Sequence, residues 1–487
     1  MLICNKILLE KVNATEYSLN LENQNHLHQY SMKIKWSLYF YLLIFTGCAM
    51  QSQEKKWTLD ECVRYALQNN ITIKQTELDS ELAQIDKKGA FGSFLPRVGA
   101  NASHSWNIGL NQNITTGLLE NQTTQFTAAG VNIGLNLYKG LQNQNELRRS
   151  NLSILAAQYQ LSKIKDDVSL NVANAFLQIL FNKENLKVQK EQLSLNGLQL
   201  ERTTALVEAG SVARADLLDM EATVAGTQQN VIAAENALLI SRLSLAQLLQ
   251  LDDFKNFDIA DRDYEATESE IMVQTPEAII AKAKEVRMEV KIAKTNQEIA
   301  EKDVQIAKGG LQPTVQAFYA LNTRAAYADR VVGIDANGAP IYESPLGIID
   351  QFDQNKGHSF GLQLDIPILN GFAARNNVAR AKVGLERSKI ALSQEELNLE
   401  RNVYTAYTDA QGALNAFEAA KVALAARAGA FEFAKEKYEV GLMNALDYNQ
   451  AQTLYVNSQS DLLRTKYDYI FKIKLVELYF GIPITKI

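Results

Sequence analysis

Cysteine and proline are both scarce in this chain of 487 residues. It has 3 cysteines: Cys4, Cys48 and Cys62. If the chain is processed near residue 48, no internal disulfide pair remains, so its fold does not rest on disulfide staples. Of its 7 prolines, none lies between Pro96 and Pro276 and none between Pro367 and Pro483. Tracts that long without proline permit very long helices and argue against a loop-rich fold. Excess positive charge is missing as well. The net charge is −6, which gives nucleic-acid binding little support. At 21% charged residues the chain is too polar for a polytopic helical membrane protein, and its 47% apolar content is too high for disorder. No phosphate-binding glycine loop, zinc-helix motif or nucleophile elbow occurs, so no enzyme, cofactor or metal site is expected. His104 and His358 both fall on the apolar parity of predicted strands and read as interfacial residues.

An export signal comes first. Met32-Lys33-Ile34-Lys35 is followed by an apolar run from Trp36 to Phe45 and then by Thr46-Gly47-Cys48-Ala49. This is the order of a secretory signal over 32–49, and the run is too short for a permanent span. Residues 1–31 lack that character and read as a gene-model extension ahead of a start at Met32. Two processing readings stand: cleavage after Ala49, or lipidation of Cys48, with Phe45 in the usual aliphatic place. No other apolar run is judged long enough for a transmembrane helix.

The rest is written twice. Residues 58–96 align with 275–313 at an offset of 217: Thr58 on Thr275, Ala66 on Ala283, Pro96 on Pro313. Farther on the offset is 231, placing Gly140 on Gly371, Gly210 on Gly441 and Asp216 on Asp447. The difference, a 14-residue insertion, lies between Pro313 and Gly371. Leu147, Ile154, Leu161, Val168 and Ala175 form a row with a seven-residue period, copied as Val378, Leu385, Leu392, Leu399 and Ala406. A second row runs Val172, Ile179, Leu186, Leu193, Leu200, Val207, copied from Val403 to Tyr438. A strict heptad predicts left-handed coiled-coil packing. The spacing predicts long helices over 141–207 and 372–438, turns at Gly210 and Gly441, and returning helices over 213–250 and 444–480.

Between helices the period falls to two. Val98, Ala100, Ala102, His104, Trp106, Ile108 and Leu110 alternate with small or polar residues, as do Val131, Ile133, Leu135 and Leu137. The second copy has Val315, Ala317, Tyr319, Leu321, then Phe360, Leu362, Leu364, Ile366. Strands are expected at 97–111, 125–138, 314–322 and 358–367, with loops between them, the longer one carrying Asn337-Gly338-Ala339-Pro340. Their length suits tilted membrane strands, which need about 9–11 residues. Four strands cannot close a barrel, and open edges are not tolerated in lipid, so several chains must pool theirs. Spacing alone does not choose between two chains and three.

A signal followed by a duplicated unit of helix, strand, strand, long helix and returning helix resembles the outer membrane efflux protein family. The residues carrying the resemblance are Trp57-Thr58-Leu59-Asp60-Glu61 before Ala66-Leu67-Gln68-Asn69-Asn70, then Phe94-Leu95-Pro96, Leu137-Tyr138-Lys139-Gly140, Ile368-Leu369-Asn370-Gly371 and Tyr438-Glu439-Val440-Gly441. Ile71 departs from it, since members often have proline there. The resemblance spans 57–483: a first repeat over 57–250, an equatorial segment over 251–274 with Asp252, Asp253, Asp258, Asp261 and Asp263, and a second repeat over 275–483. It implies a mainly α protein with membrane β: a homotrimer whose twelve strands form an outer membrane barrel and whose helices continue as an α-barrel. It also implies outer membrane lipids around the barrel, and a periplasmic adaptor and inner-membrane pump docked at the tip turns Gly210 and Gly441. It implies a periplasmic gate at Asp447, with Asp216 and Asp219 in the first copy. Asp216 and Asp447 also enter the first turns of helices, where a carboxylate stabilises the helix end. The resulting expectation is a passive conduit for small toxic compounds. The alternatives are an exit duct for secreted protein and a periplasmic coiled-coil scaffold without a pore.

Overall fold

The computed structural model describes residues 56–484, apart from 113–116, 253, 255, 262–263 and 265–268. The expected extension, signal segment and Cys48, and Asp253 and Asp263, lie outside the described residues.

The duplication is visible in the helix lengths. The first copy contains α1 (Leu59–Asn69, 11 residues), α2 (Ile71–Gly92, 22), α3 (Gln142–Glu208, 67) and α4 (Arg214–Leu249, 36). The second contains α5 (Pro276–Val286, 11), α6 (Met288–Gly309, 22), α8 (Ala373–Glu439, 67) and α9 (Ala445–Phe480, 36). At 1.5 Å per residue each 67-residue helix is about 100 Å long. The starts and stops are chemical. Thr58 accepts from the Glu61 amide while Glu61 accepts from the Thr58 amide, a reciprocal cap that opens α1. Thr275 caps α5, with Pro276 in the first turn where its missing N–H costs nothing. The break between α1 and α2 needs no proline at position 71. Asn70 leaves helical geometry (ψ 129°) and its side chain accepts from the Thr72 amide at 2.9 Å. Arg287 makes the same break, 217 residues on, with ψ 135°.

Every residue of the two heptad rows is buried or half-buried. Each copy builds its own core at the level where its short helix crosses its long one. In the first, Leu59, Val63 and Ala66 of α1 meet Val172, Phe176 and Ile179 of α3, with Leu245 and Leu249 of α4. In the second, Ile279, Ile280 and Ala283 of α5 meet Val403, Ala406 and Ala410 of α8, with Ile473 and Val476 of α9. The inter-repeat segment straps the first core. Its strand β4 (Asp258–Ile259) pairs in parallel with β1 (Lys56–Trp57), burying Phe257 and Ile259. Asp258 takes ion pairs from Lys183 and Arg242 at 2.9 Å, and Asp261 takes Lys183 and Lys56 at 2.7 Å.

One expectation is corrected in α4. It is a helix long and apolar enough to cross a membrane by length and composition, with a mean hydropathy of 1.3 in its best window. Its alanines, leucines and isoleucines, with at most two charged residues in that window, give it that character. It nevertheless runs back along α3 as the return arm of the coil.

Four strands form one antiparallel sheet in the order β2-β3-β5-β8: β2 (Arg97–Gln112), β3 (Leu119–Lys139), β5 (Thr314–Ala326) and β8 (Gly357–Asp365). The first hairpin is longer than its alternation shows, because polar Asn121, Thr123 and Gln125 of β3 pair opposite Leu110, Ile108 and Trp106 of β2. The long connection after β5 is not plain loop. It holds a hairpin of β6 (Arg330–Ile334) and β7 (Pro340–Glu343), turned at Asn337-Gly338, and a short helix α7 (Ile348–Gln354). Helix α7 seals the stretch of β5 that outruns β8. Gln351 bonds both the amide and the carbonyl of Ala326, and Asn355 donates to the Arg324 carbonyl at 2.8 Å. β8 itself ends at Asp365, ahead of Pro367, which has no amide to give the ladder.

Candidate functional site

Two places carry candidate function: the sheet, and the helical tip farthest along the chain from it.

The sheet's register sorts its side chains into two faces. Val98, Ile133, Tyr319 and Phe360 stand in one row across all four strands, and Leu135, Ala317 and Leu362 in another. On the opposite face Asn101, Gly130, Asn322 and Gly357 line up, as do Asn136, Gln316 and Gln363. Asn132 donates to Asn101 at 3.0 Å along that polar face. Among the described residues nothing covers the apolar face: Ile108 is 82% and Phe360 81% exposed. A face this large and dry needs a solvent other than water. On the apolar face His104 meets the hydroxyl of Thr127 at 2.8 Å and rings of Trp106 and Tyr327. His358 meets the Tyr319 hydroxyl at 2.8 Å. Both histidines thus sit beside aromatic rings on the apolar face of the sheet. The two free edges, β2 and β8, run in opposite directions, so β8 of one copy can continue the antiparallel order onto β2 of the next.

At the tip, Gly210 (φ 70°) and Gly441 (φ 77°) each end a long helix in the left-handed region. The Ser211 amide closes onto the Leu206 carbonyl at 2.9 Å, and Leu442 onto Lys437 at 2.8 Å, the same six-to-one closure in both copies. The returning helices then differ. Asn444 caps α9, accepting from the Asp447 amide at 2.8 Å and donating to the Asp447 carboxylate at 3.0 Å. Asp447 is therefore both an exposed carboxylate and half of a reciprocal cap. The equivalent cap of α4 is Ala213, which makes no side-chain bond. Asp216 occupies the same third position of its helix, half-buried, and Asp219 is exposed one turn later. The structure brings Asp216 and Asp219 onto one helix start and Asp447 onto the other.

The sequence reading missed an aromatic stack beside Asp447. Tyr438 and Tyr448 stack at 4.6 Å, Phe431 and Tyr455 at 5.3 Å, and Gln199 of α3 donates to the Tyr438 hydroxyl at 2.9 Å. Burial raises the Tyr448 phenol above its ordinary value. In the first copy the same places are Leu200, Val207, Leu217 and Val224. The heptad row marked Phe431 and Tyr438 as apolar; the swap from aliphatic to aromatic between copies was the readable signal. Below this lies a polar cavity of about 470 Å³, where α3, α4 and α9 face each other with Asn185, Asn196, Thr227, Asn449 and Gln452. Asn196 is buried and donates to Thr227 at 2.8 Å.

The family profile described as outer membrane efflux protein matches residues 63–250 and 279–479. The chain belongs to that family. Among relatives, outer membrane protein TolC of Vibrio cholerae is 21% identical over 367 residues, covering 74% of this chain and 79% of the relative. Outer membrane protein TolC of Escherichia coli is 21% identical over 433 residues, covering 88% and 82%. Among solved structures, the Campylobacter jejuni CmeC outer membrane channel superposes with a TM-score of 0.73 at 18% identity, over 87% of this chain and 85% of that one. The protein is accordingly an outer membrane channel of the efflux family, mainly helical, with membrane β-strands and a coil reaching into the periplasm.

Proposed function

We propose that the chain is the exit duct of a tripartite efflux system. Three copies pool twelve strands into one barrel, with lipid against the row of Val98, Ile133, Tyr319 and Phe360 and water against the asparagine face. The helices continue the lumen across the periplasm. The tips at Gly210 and Gly441 dock a periplasmic adaptor, which joins the duct to an inner-membrane pump for small toxic compounds. The duct itself is passive and needs no catalytic group. The observation that carries this reading is a sheet with one dry face, one asparagine-lined face and two complementary open edges, mounted on a duplicated coil.

At the tip, three Asp447 carboxylates converging on an axis favour cations and resist close approach. Asp216 and Asp219 lend further negative charge from the first copy. The test has two parts. Deleting the gene should sensitise cells to apolar toxic compounds, and the intact gene should restore export; unaltered sensitivity would remove the efflux role. In planar bilayers Asp447→Asn should lower cation selectivity and raise resting conductance, while Asn444→Ser keeps a cap and changes neither. Equal selectivity and conductance in Asp447→Asn and wild type would remove the gate assignment.

A further inference from the structure

The duplication specifies how two copies touch. In the first repeat, α2 packs against one long helix, α3. In the second, the equivalent helix α6 packs against two: its own α8 and the preceding repeat's α3. Among the described residues one of α2's two places is therefore unfilled, and that place has an address. The α6–α3 contact is marked by an ion pair, Arg149 to Asp303 at 2.7 Å, with Arg149 steadied by Glu146. It is also marked by a backbone approach of Gly309 to Gly140 so close that neither could carry a Cβ. Shifted by the two offsets, Asp303 becomes Asp86 and Gly309 becomes Gly92, both on α2. Arg149 becomes Arg380 on α8 and Gly140 becomes Gly371 just before it. Arg380 is held by Asn377, the residue equivalent to Glu146. Asp86 and Arg380 are exposed, and open space surrounds Gly92 and Gly371.

We infer that α2 of one copy seats against α8 of the next, with an ion pair between Asp86 of the first and Arg380 of the second and a close Gly92–Gly371 backbone contact. The occupant is a second copy of this chain. The two faces match in kind. On α2, Leu78, Leu82 and Ile85 form an exposed stripe at helical spacing, and Leu78 stands where Thr295 of α6 is buried. On α8, Val383, Ile390 and Leu397 are seven apart and 59–69% exposed. A groove of about 460 Å³ lies along α8 at Ala379, Arg380 and Val383. Even an exchange of chemistry is paired. The Tyr138 hydroxyl donates to Gln312 within the chain. Their equivalents are Leu369 and Leu95, two exposed leucines that would meet each other. The same neighbour completes the sheet: Ile133 opposite Tyr319 translates to Leu364 opposite Ala102.

This inference rests on the oligomeric reading above, and its test separates the two. Outer membranes carrying Asp86→Cys with Arg380→Cys are treated with a short bis-maleimide, and the mass of the extracted particle is measured in parallel by native mass spectrometry. Covalent dimers and trimers from the double variant, and neither from the single ones, are expected. A trimer by mass with no cross-link overturns this interface and leaves the duct standing; a monomer by mass overturns both. Charge exchange supplies a second readout. Asp86→Arg alone and Arg380→Asp alone should lose the trimer band on heating in detergent where the native chain keeps it. The two together should regain it, and a double variant no better than the weaker single one overturns the ion pair.

Discussion

The strand-to-helix corner of the first repeat should be the least tolerant site for a single methyl group. Gly140 has φ 58° and Leu141 φ 60°, two successive left-handed residues that turn β3 into α3. A Cβ at Gly140 would stand within 3.0 Å of the Gly309 carbonyl group, and one at Gly309 would overlap the Gly140 carbonyl oxygen and the Gln142 side chain. Gly140→Ala therefore meets two costs. A non-glycine residue in the left-handed region costs roughly 1–2 kcal/mol. Forcing an extra carbon against backbone that cannot rotate away costs typically about 1–3 kcal/mol. The expected loss is thus on the order of 2–5 kcal/mol. Gly309→Ala carries only the second part, since its backbone is helical, and should lose about 1–3 kcal/mol. The internal control is Gly197, inside α3 with nothing near its Cβ position in the chain. There alanine should be neutral or stabilising by up to about 1 kcal/mol, because glycine disfavours helix interiors. Thermal melts followed by circular dichroism in detergent would rank the three. Gly140→Ala melting with the native chain, or Gly197→Ala melting below it, would refute the reasoning.

Three further outcomes are expected. Ala213→Asn should stabilise the α4 start by about 1 kcal/mol, because Ala213 already has the extended cap backbone and Asn444 shows the bond its equivalent can make; a raised melting point checks it. Lys183→Met should cost about 2 kcal/mol in the same melts, since the 15% exposed ammonium holds both Asp258 and Asp261 and its loss leaves Asp258 with Arg242 alone. The Arg287 site should give an acid-labile step. Burial opposes the charge on Glu289, but the hydrogen bond and charge of Arg287 outweigh it and hold the carboxyl below its ordinary 4.5. Its folded value being the lower one, its contribution is full above about 4.5 and is lost as pH falls through the folded value. Burial pushes neighbouring Asp166 the other way, so it opposes that slope. Glu289→Gln should flatten the decline in melting point below pH 4.5, and an unchanged decline would dismiss Glu289 as its source.

The coil was legible because its punctuation is backbone chemistry. Gly210, Gly441, Gly140 and Gly371 all take positive φ, and the proline-free tracts between them leave nothing to interrupt a helix. The strands were legible wherever one face is uniformly apolar. The reading faltered at 120–124, where β3 is polar on both faces and only its pairing with β2 makes it a strand. It missed α7 for a different reason: seven residues carry too short a period, and the helix is held by Gln351 and Asn355 bonding to β5. The tip was the least legible. Asp447 and Asp216 stand at equal spacing in sequence, yet their surroundings differ because residue 444 is asparagine where residue 213 is alanine.

The two copies diverge in an instructive way. Their backbone landmarks agree residue for residue, while side chains differ in matched pairs. Tyr138 with Gln312 inside the chain answers to Leu369 with Leu95 on its exposed faces, and the Lys165–Glu77 ion pair answers to Glu396 and Lys294, the same charges exchanged between helices. Compensation of that kind needs both members of a pair to feel each other. For Lys165 and Glu77 the contact lies within one repeat, 3.4 Å apart. For Leu95 and Leu369 no such contact occurs among the described residues: Leu95 is 51% and Leu369 89% exposed. An apolar pair at two such positions gains burial energy where the two leucines meet. The duplicated sequence thus holds in its second reading the contact that a single copy cannot make with itself.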